Sequence, residues 1–219
     1  MEIKADQPQT SLSWFEIWRV ALLHPTVETF HRIADDPKAS IKWGIIWMAI
    51  TSSIIWFTNP LRSIFDGLVM DNFGLQSFSY YLAIGVIISL IVSVIALMIA
   101  ALVAHGFARL FNGEGKYQQL VYCWGVMLLP FVLVSGLVSH VPAIFPSSRT
   151  FAFSSVGMIV HIISIALFVG VSLYQLYAEV IAFAAIEKLG FWKSIGILLL
   201  TTIIVGIAIA LLFLAFRFG

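Results

Sequence analysis

Residues 155–185, SVGMIVHIISIALFVGVSLYQLYAEVIAFAA, decide the fold class. The run is long enough to cross a bilayer as a helix, and its one charged residue is Glu179. At about 100° per residue, His161, Ser164, Phe168, Ser172, Gln175 and Glu179 fall within one narrow stripe. A charged side chain at mid-bilayer costs about 2.5–3.5 kcal/mol on insertion scales. The stripe is therefore expected to face protein or water, with the other helices packed around it.

Composition extends that reading to the whole chain. Of 219 residues 61% are hydrophobic and 11% charged, and mean hydropathy is +1.02, far above a soluble domain. The expected class is an all-α integral membrane protein in contact with the lipid bilayer. A net charge of +1 with scattered basic residues argues against a nucleic-acid partner. Cys123 is the only cysteine, which excludes an internal disulfide and reads as a small packing residue.

Residues 1–40 read as short amphipathic interfacial helices rather than a signal peptide, because Glu16, Arg19, Glu28 and Arg32 interrupt the apolar positions. Ser13 and Glu16 have capping-box spacing, with Leu12 and Ile17 at the positions of a hydrophobic staple. Pro25 is placed to open a second helix. Trp14, Phe15, Trp18 and Phe30 are the candidate contacts to a partner or to the membrane surface.

Residues 41–219 are expected to form one domain of five spans, about 41–57, 80–104, 117–139, 156–182 and 194–216. Trp43, Trp47 and Trp56 suit interfacial belts. Asn59 is placed to cap a surface helix that stops at Gly74. Gly85, Ser89, Ser93, Ala96 and Ala100 make a small-residue seam on the second span, expected to meet the polar stripe of the fourth. Residues 105–116 read as a turn, and Pro130 should kink the third span.

With five spans, nine lysines and arginines lie on the side of the N-terminus and three on the other. The N-terminus is then cytoplasmic and the C-terminus outside. That topology brings Glu179 to the depth of His105 and Arg109, a candidate inner-surface cluster. No metal or cofactor site is expected: His161 and His140 lack a third ligand, and Gly113-Glu114-Gly115-Lys116 lacks the spacing of a phosphate loop. Metalloprotease, serine-hydrolase and paired-aspartate signatures are absent, so the chain is read as non-enzymatic.

Trp18 followed by Leu22-Leu23-His24-Pro25 and Phe30, the loop Arg109-Leu110-Phe111-Asn112-Gly113-Glu114-Gly115-Lys116-Tyr117-Gln118-Gln119, and the third span from Tyr122 to Pro130 together resemble the Yip1 family. The resemblance implies five membrane helices and a cytoplasmic N-terminus. It also implies an adaptor or organiser of membrane trafficking or membrane-protein assembly that engages another membrane protein or itself. Eukaryotic members engage Rab-type GTPases through a longer N-terminal region. The short leader here argues against a small-GTPase partner and for a prokaryotic-type member in the plasma (inner) membrane. The alternative is a transporter or channel for a small solute or lipid, with His161, Ser164, Ser172, Gln175 and Glu179 lining its path.

Overall fold

Ser13 starts the first helix as its spacing predicts: its hydroxyl accepts the Glu16 N–H at 3.2 Å from an extended backbone. The computed structural model describes residues 11–65, 75–140 and 155–218, and these are helical apart from short connections. The helices are α1 (Trp14–Leu23), α2 (Val27–Ala34), α3 (Ile41–Phe65), α4 (Leu75–Leu110), α5 (Tyr117–His140), α6 (Ser155–Glu187) and α7 (Phe191–Phe218). Helix α2 opens at Val27 rather than at Pro25, and Thr26 caps it, its side chain accepting the Thr29 N–H at 3.2 Å.

Among the described residues, four stretches are long and apolar enough to cross a membrane: Ile84–Leu110, Tyr117–Val138, Val156–Glu187 and Phe191–Ala208. Ile41–Ile55 is apolar but shorter. Asn59 does not begin a new helix, since α3 continues to Phe65; the remainder of the expected surface helix, 66–74, lies outside the described residues. Residues 105–110 are not a turn either, because α4 runs on to Leu110, and α6 runs to Glu187. At 1.5 Å per residue, α4 and α6 are about 54 and 50 Å long, against a hydrocarbon core of about 30 Å.

The overrun has a local cause. Asn112 (φ 65°) and Lys188 (φ 53°) stand in the left-handed region just past the two helix ends. Gly113 N–H then bonds to Ala108 C=O at 2.7 Å and Asn112 N–H to Arg109 C=O at 3.3 Å. In the same way Leu189 N–H bonds to Ala184 C=O at 3.0 Å and Lys188 N–H to Ala185 C=O at 3.4 Å. Both ends are Schellman closures, which satisfy the last carbonyls and reverse the chain within a few residues.

The packed centre is α5, not α6. It contacts α3, α4 and α6 as well as α1 and α2, and Leu120 through Met127 are all buried. Its closest approach is to α3. A Cβ on Gly44 would lie 2.6 Å from the Val121 carbonyl oxygen, and one on Gly125 would strike the Gly44 backbone. Two glycines thus let the helix backbones touch, which in lipid, where burial gives no drive to associate, is the usual means of adhesion. Around α5, helices α4, α5, α6 and α7 form a ring of successive contacts. α4 packs mainly on α3, α5 and α7, and the expected seam faces the stripe across a groove, with Ala96 and Ala100 on one wall and Glu179 on another.

The N-terminal helices belong to this core. Ile17, Ala21, Phe30 and Ile33 are fully buried. Tyr174 donates to the Leu22 carbonyl at 2.8 Å, and Gln119 Nε2 to the Ala34 carbonyl at 3.1 Å. Asp36 accepts the Leu12 N–H at 2.7 Å, and Lys38 Nζ donates to the Leu12 carbonyl at 2.9 Å. Together α1 and α2 form a cap over one end of the bundle.

Candidate functional site

The capped end holds two polar constructions and one exposed surface. The first ties the α4–α5 turn to the end of α6. Glu187, fully buried, accepts from His105 Nδ1 at 2.7 Å and from the Gly115 N–H at 3.2 Å. Its backbone carbonyl accepts the Glu114 N–H at 3.0 Å. Arg109 Nε donates to His105 Nε2 at 3.4 Å, which places the histidine proton on Nδ1. The same guanidinium holds the Gly113 and Gly115 carbonyls at 3.2 and 2.7 Å. A buried carboxylate is tolerable only when its oxygens are bonded, and here an imidazole backed by a guanidinium, together with an amide, supplies the bonds.

This corrects the expected inner-surface cluster. His105 and Arg109 do come together, but with Glu187 and not with Glu179, which accepts from Gln175 Nε2 at 2.9 Å one turn away on its own helix. Glu187 lies beyond the expected fourth span, 156–182, between an apolar run and Lys188-Leu189-Gly190. Its signal was the glycine loop itself. Gly115 has no room for a Cβ, which would lie 2.6 Å from the Ile186 carbonyl oxygen. The loop amide does bind an anion, and that anion is the Glu187 side chain.

The polar stripe is divided. Ser164 is buried, Gln175 and Glu179 are half-buried, and His161, Phe168 and Ser172 are exposed. Ser164 and Ser172 donate to the carbonyls of Val160 and Phe168 at 2.9 and 2.8 Å, and His161 Nδ1 to that of Gly157 at 2.9 Å. Each of these three groups is satisfied by its own helix, a bonding pattern that lowers the cost of facing lipid. Among the described residues, no three His, Cys, Asp or Glu side chains converge as a metal set.

Glu179 lines an open groove of about 680 Å³ between α4, α5, α6 and α7, with Met48 of α3 on its wall. Its walls are Leu, Ile, Val, Met, Ala and aromatic side chains, with Glu179, Thr201 and Thr202 as the polar additions. Thr202 donates to the Leu198 carbonyl at 2.9 Å. Thr201 Oγ1 and Trp124 Nε1, both from wall residues, are buried without a partner.

The candidate surface residues also separate. Phe30 is 1% exposed and Trp14 and Trp18 are half-buried, whereas Phe15 is 73% exposed. Trp14 packs on Trp43 and Trp47 at 5.0 and 4.9 Å between ring centroids, and Trp18 on Trp47 at 5.0 Å. Trp43 and Trp47 therefore serve the cap rather than an interfacial belt. The burying face of α1 is Trp14, Ile17, Trp18 and Ala21, which leaves Phe15 and Leu23 outward, joined by Val27 of α2.

Long apolar helices with lipid-suited flanks and a polar, capped end define an integral membrane helix bundle. The family model described as the Yip1 domain matches residues 19–214, most of the chain, and the protein belongs to that family. No curated protein and no solved structure matches it.

Proposed function

We propose that this Yip1-domain protein is a non-enzymatic membrane adaptor or organiser, acting through the surface of its N-terminal cap. The observation that carries the reading is the construction of the cap. With Ile17, Phe30 and Ile33 fully buried, α1 and α2 are a fixed platform rather than a tether. That platform still presents Phe15, Leu23 and Val27, which are 73%, 59% and 45% exposed. Apolar side chains held rigidly at a surface favour a partner, because little side-chain or loop entropy is lost on docking. The excess of lysine and arginine in the segments at this end supports a cytoplasmic cap. The partner class is another membrane protein, and the compartment the plasma membrane of a prokaryote; a small GTPase is not expected. The stripe residues His161, Ser164 and Ser172, bonded to their own helix, lend no support to a hydrated path.

Deletion of the cap is a poor test because it strips core residues. Photocrosslinking side chains at Phe15, Leu23 and Val27 in native membranes are the clean one. A discrete adduct with a membrane polypeptide is expected from these positions, and Phe15→Ser should remove the adduct formed at Val27. Adducts to lipid alone, or none, would overturn the reading.

A further inference from the structure

The two turns at the capped end carry a surface the adaptor reading does not use. Glu187 holds them together, its side chain taking the Gly115 N–H at 3.2 Å and its carbonyl the Glu114 N–H at 3.0 Å. Beside that tie Trp192 is 80% exposed, more than any other large apolar side chain described, and Leu110 is 75% exposed. Phe111 and Phe191 are exposed with them, the Phe191 and Trp192 rings lying 5.5 Å apart. Among the charges of the turns, Arg109 offsets Glu187, and Lys188 meets Glu114 at 3.0 Å. Lys116 and Lys193 are exposed, and no ion pair among the described residues engages either. The turns thus join bare apolar surface to uncompensated positive charge. Their depth follows from α4, on which Ile88, Ile91, Ile95, Ile99, Leu102 and Leu110 all stand exposed. The 27 residues from Ile84 to Leu110 cover about 40 Å at 1.5 Å per residue, beyond a hydrocarbon core of about 30 Å and close to the 40–45 Å of a bilayer with its head groups. The end of this face therefore lies among head groups, where tryptophan and lysine are both favoured.

From this arrangement we infer that the paired turns bind the head group of an anionic phospholipid. Lys116 and Lys193 meet its negative charge, and Trp192, Leu110 and Phe111 lie where its acyl chains begin. Attraction of a lysine to an anionic leaflet is worth roughly a fivefold gain in binding for each lysine at the surface. A zwitterionic head brings its own ammonium, which already answers its phosphate, so it gains less. An acidic protein segment would also meet the lysines. The apolar side chains beside them, however, continue into the exposed apolar face of α4, and a lipid covers both. The inference does not rest on the adaptor reading, whose surface, Phe15, Leu23 and Val27, belongs to α1 and α2.

The test uses the purified full chain in phosphatidylcholine nanodiscs doped with a photoreactive phosphatidylglycerol or its phosphatidylcholine counterpart. Each reagent carries a diazirine near the ester end of one acyl chain, and labelled peptides are mapped by mass spectrometry. Phosphatidylglycerol should label the peptides holding Leu110, Phe111 and Trp192 about tenfold or more above phosphatidylcholine, as two lysines imply. That excess should fall about fivefold in Lys116→Gln or Lys193→Gln and vanish in the double variant, with unchanged thermal unfolding. Salt should lower it, because both charges are exposed. Lys193→Arg should keep it, and Arg32→Gln, which removes an exposed charge from α2, should leave it intact. Equal labelling by the two reagents, an excess that survives in a folded double variant, or an equal loss in Arg32→Gln would overturn the assignment. If the double variant does not fold, the reagent pair, the salt dependence and Lys193→Arg decide.

Discussion

The capped end and the open end of the bundle are made of the same helices and are held by different physics. At the capped end, α5 residues from Leu120 to Met127 and α6 residues from Ala182 to Glu187 are buried without interruption. Farther along the same helices, Leu137 of α5 and Ile159, Ile162 and Ile165 of α6 are more than half exposed, as side chains bathed in lipid should be. Lipid solvates leucine as well as protein does, so apolar burial cannot fix one helix against another there. What can fix them is backbone contact and satisfied polar groups, and the described examples cluster at the capped end. The lesson is that hydropathy places these helices in a membrane, and a handful of glycines and one carboxylate place them against each other.

That contrast can be broken in order of effect. Removing the carboxylate should cost most. Glu187→Ala leaves Gly115 N–H and His105 without their acceptor, and each buried donor left unpaired is expected to cost about 1–3 kcal/mol. Denaturant titration in mixed micelles measures it, with Ser172→Ala on the exposed middle of α6 as the contrasting site, where a change within about 0.5 kcal/mol is expected. Comparable losses at both sites would abolish the distinction.

Glycine replacement gives the next largest difference, and a difference of sign. Gly44→Ala puts a methyl 2.6 Å from a carbonyl oxygen of α5, an overpacking expected to cost about 1–3 kcal/mol. Gly170 has nothing within 4 Å of a built Cβ, so Gly170→Ala should gain up to about 1 kcal/mol of helix propensity. A loss at Gly170 would mean that this exposed face of α6 is packed against something.

The smallest effect sharpens the comparison within the capped end itself. Lys188 Nζ and Glu114 meet at 3.0 Å, beside the Glu187 bonds, but both side chains are mostly exposed. Glu114→Ala should therefore change unfolding by about 0–1 kcal/mol, and less in high salt. A larger, salt-insensitive loss would show that the turn is held from outside as well as from within.

Much of this architecture is legible in the sequence, and the rest is hidden for identifiable reasons. The Ser13 cap and the apolar helices follow from local rules, since a cap needs three residues and a span needs only composition. The helix ends do not. A left-handed closure is expected at glycine, and here Asn112 and Lys188 take that role, so α4 and α6 outrun their apolar cores. Partner choice is the harder matter. Gly44 and Gly125 are single glycines in apolar runs, weaker to the eye than the seam from Gly85 to Ala100, yet it is they that touch backbone. The stripe on α6 divides between buried Ser164 and exposed His161, Phe168 and Ser172, because a shared helix face does not say which helix, cavity or lipid it meets. Phe15 and Phe30 illustrate the same limit: both belong to apolar faces, and only packing decides that one is exposed and the other buried.

The Glu187 tie also orders events in time. Its two ends are separated by 72 residues from Gly115, so a chain made from its N-terminus exposes the loop amide and Arg109 for about 4–14 s of synthesis before their acceptor exists. Helix α5 can be threaded in that interval, and the tie closes only once α6 has been completed.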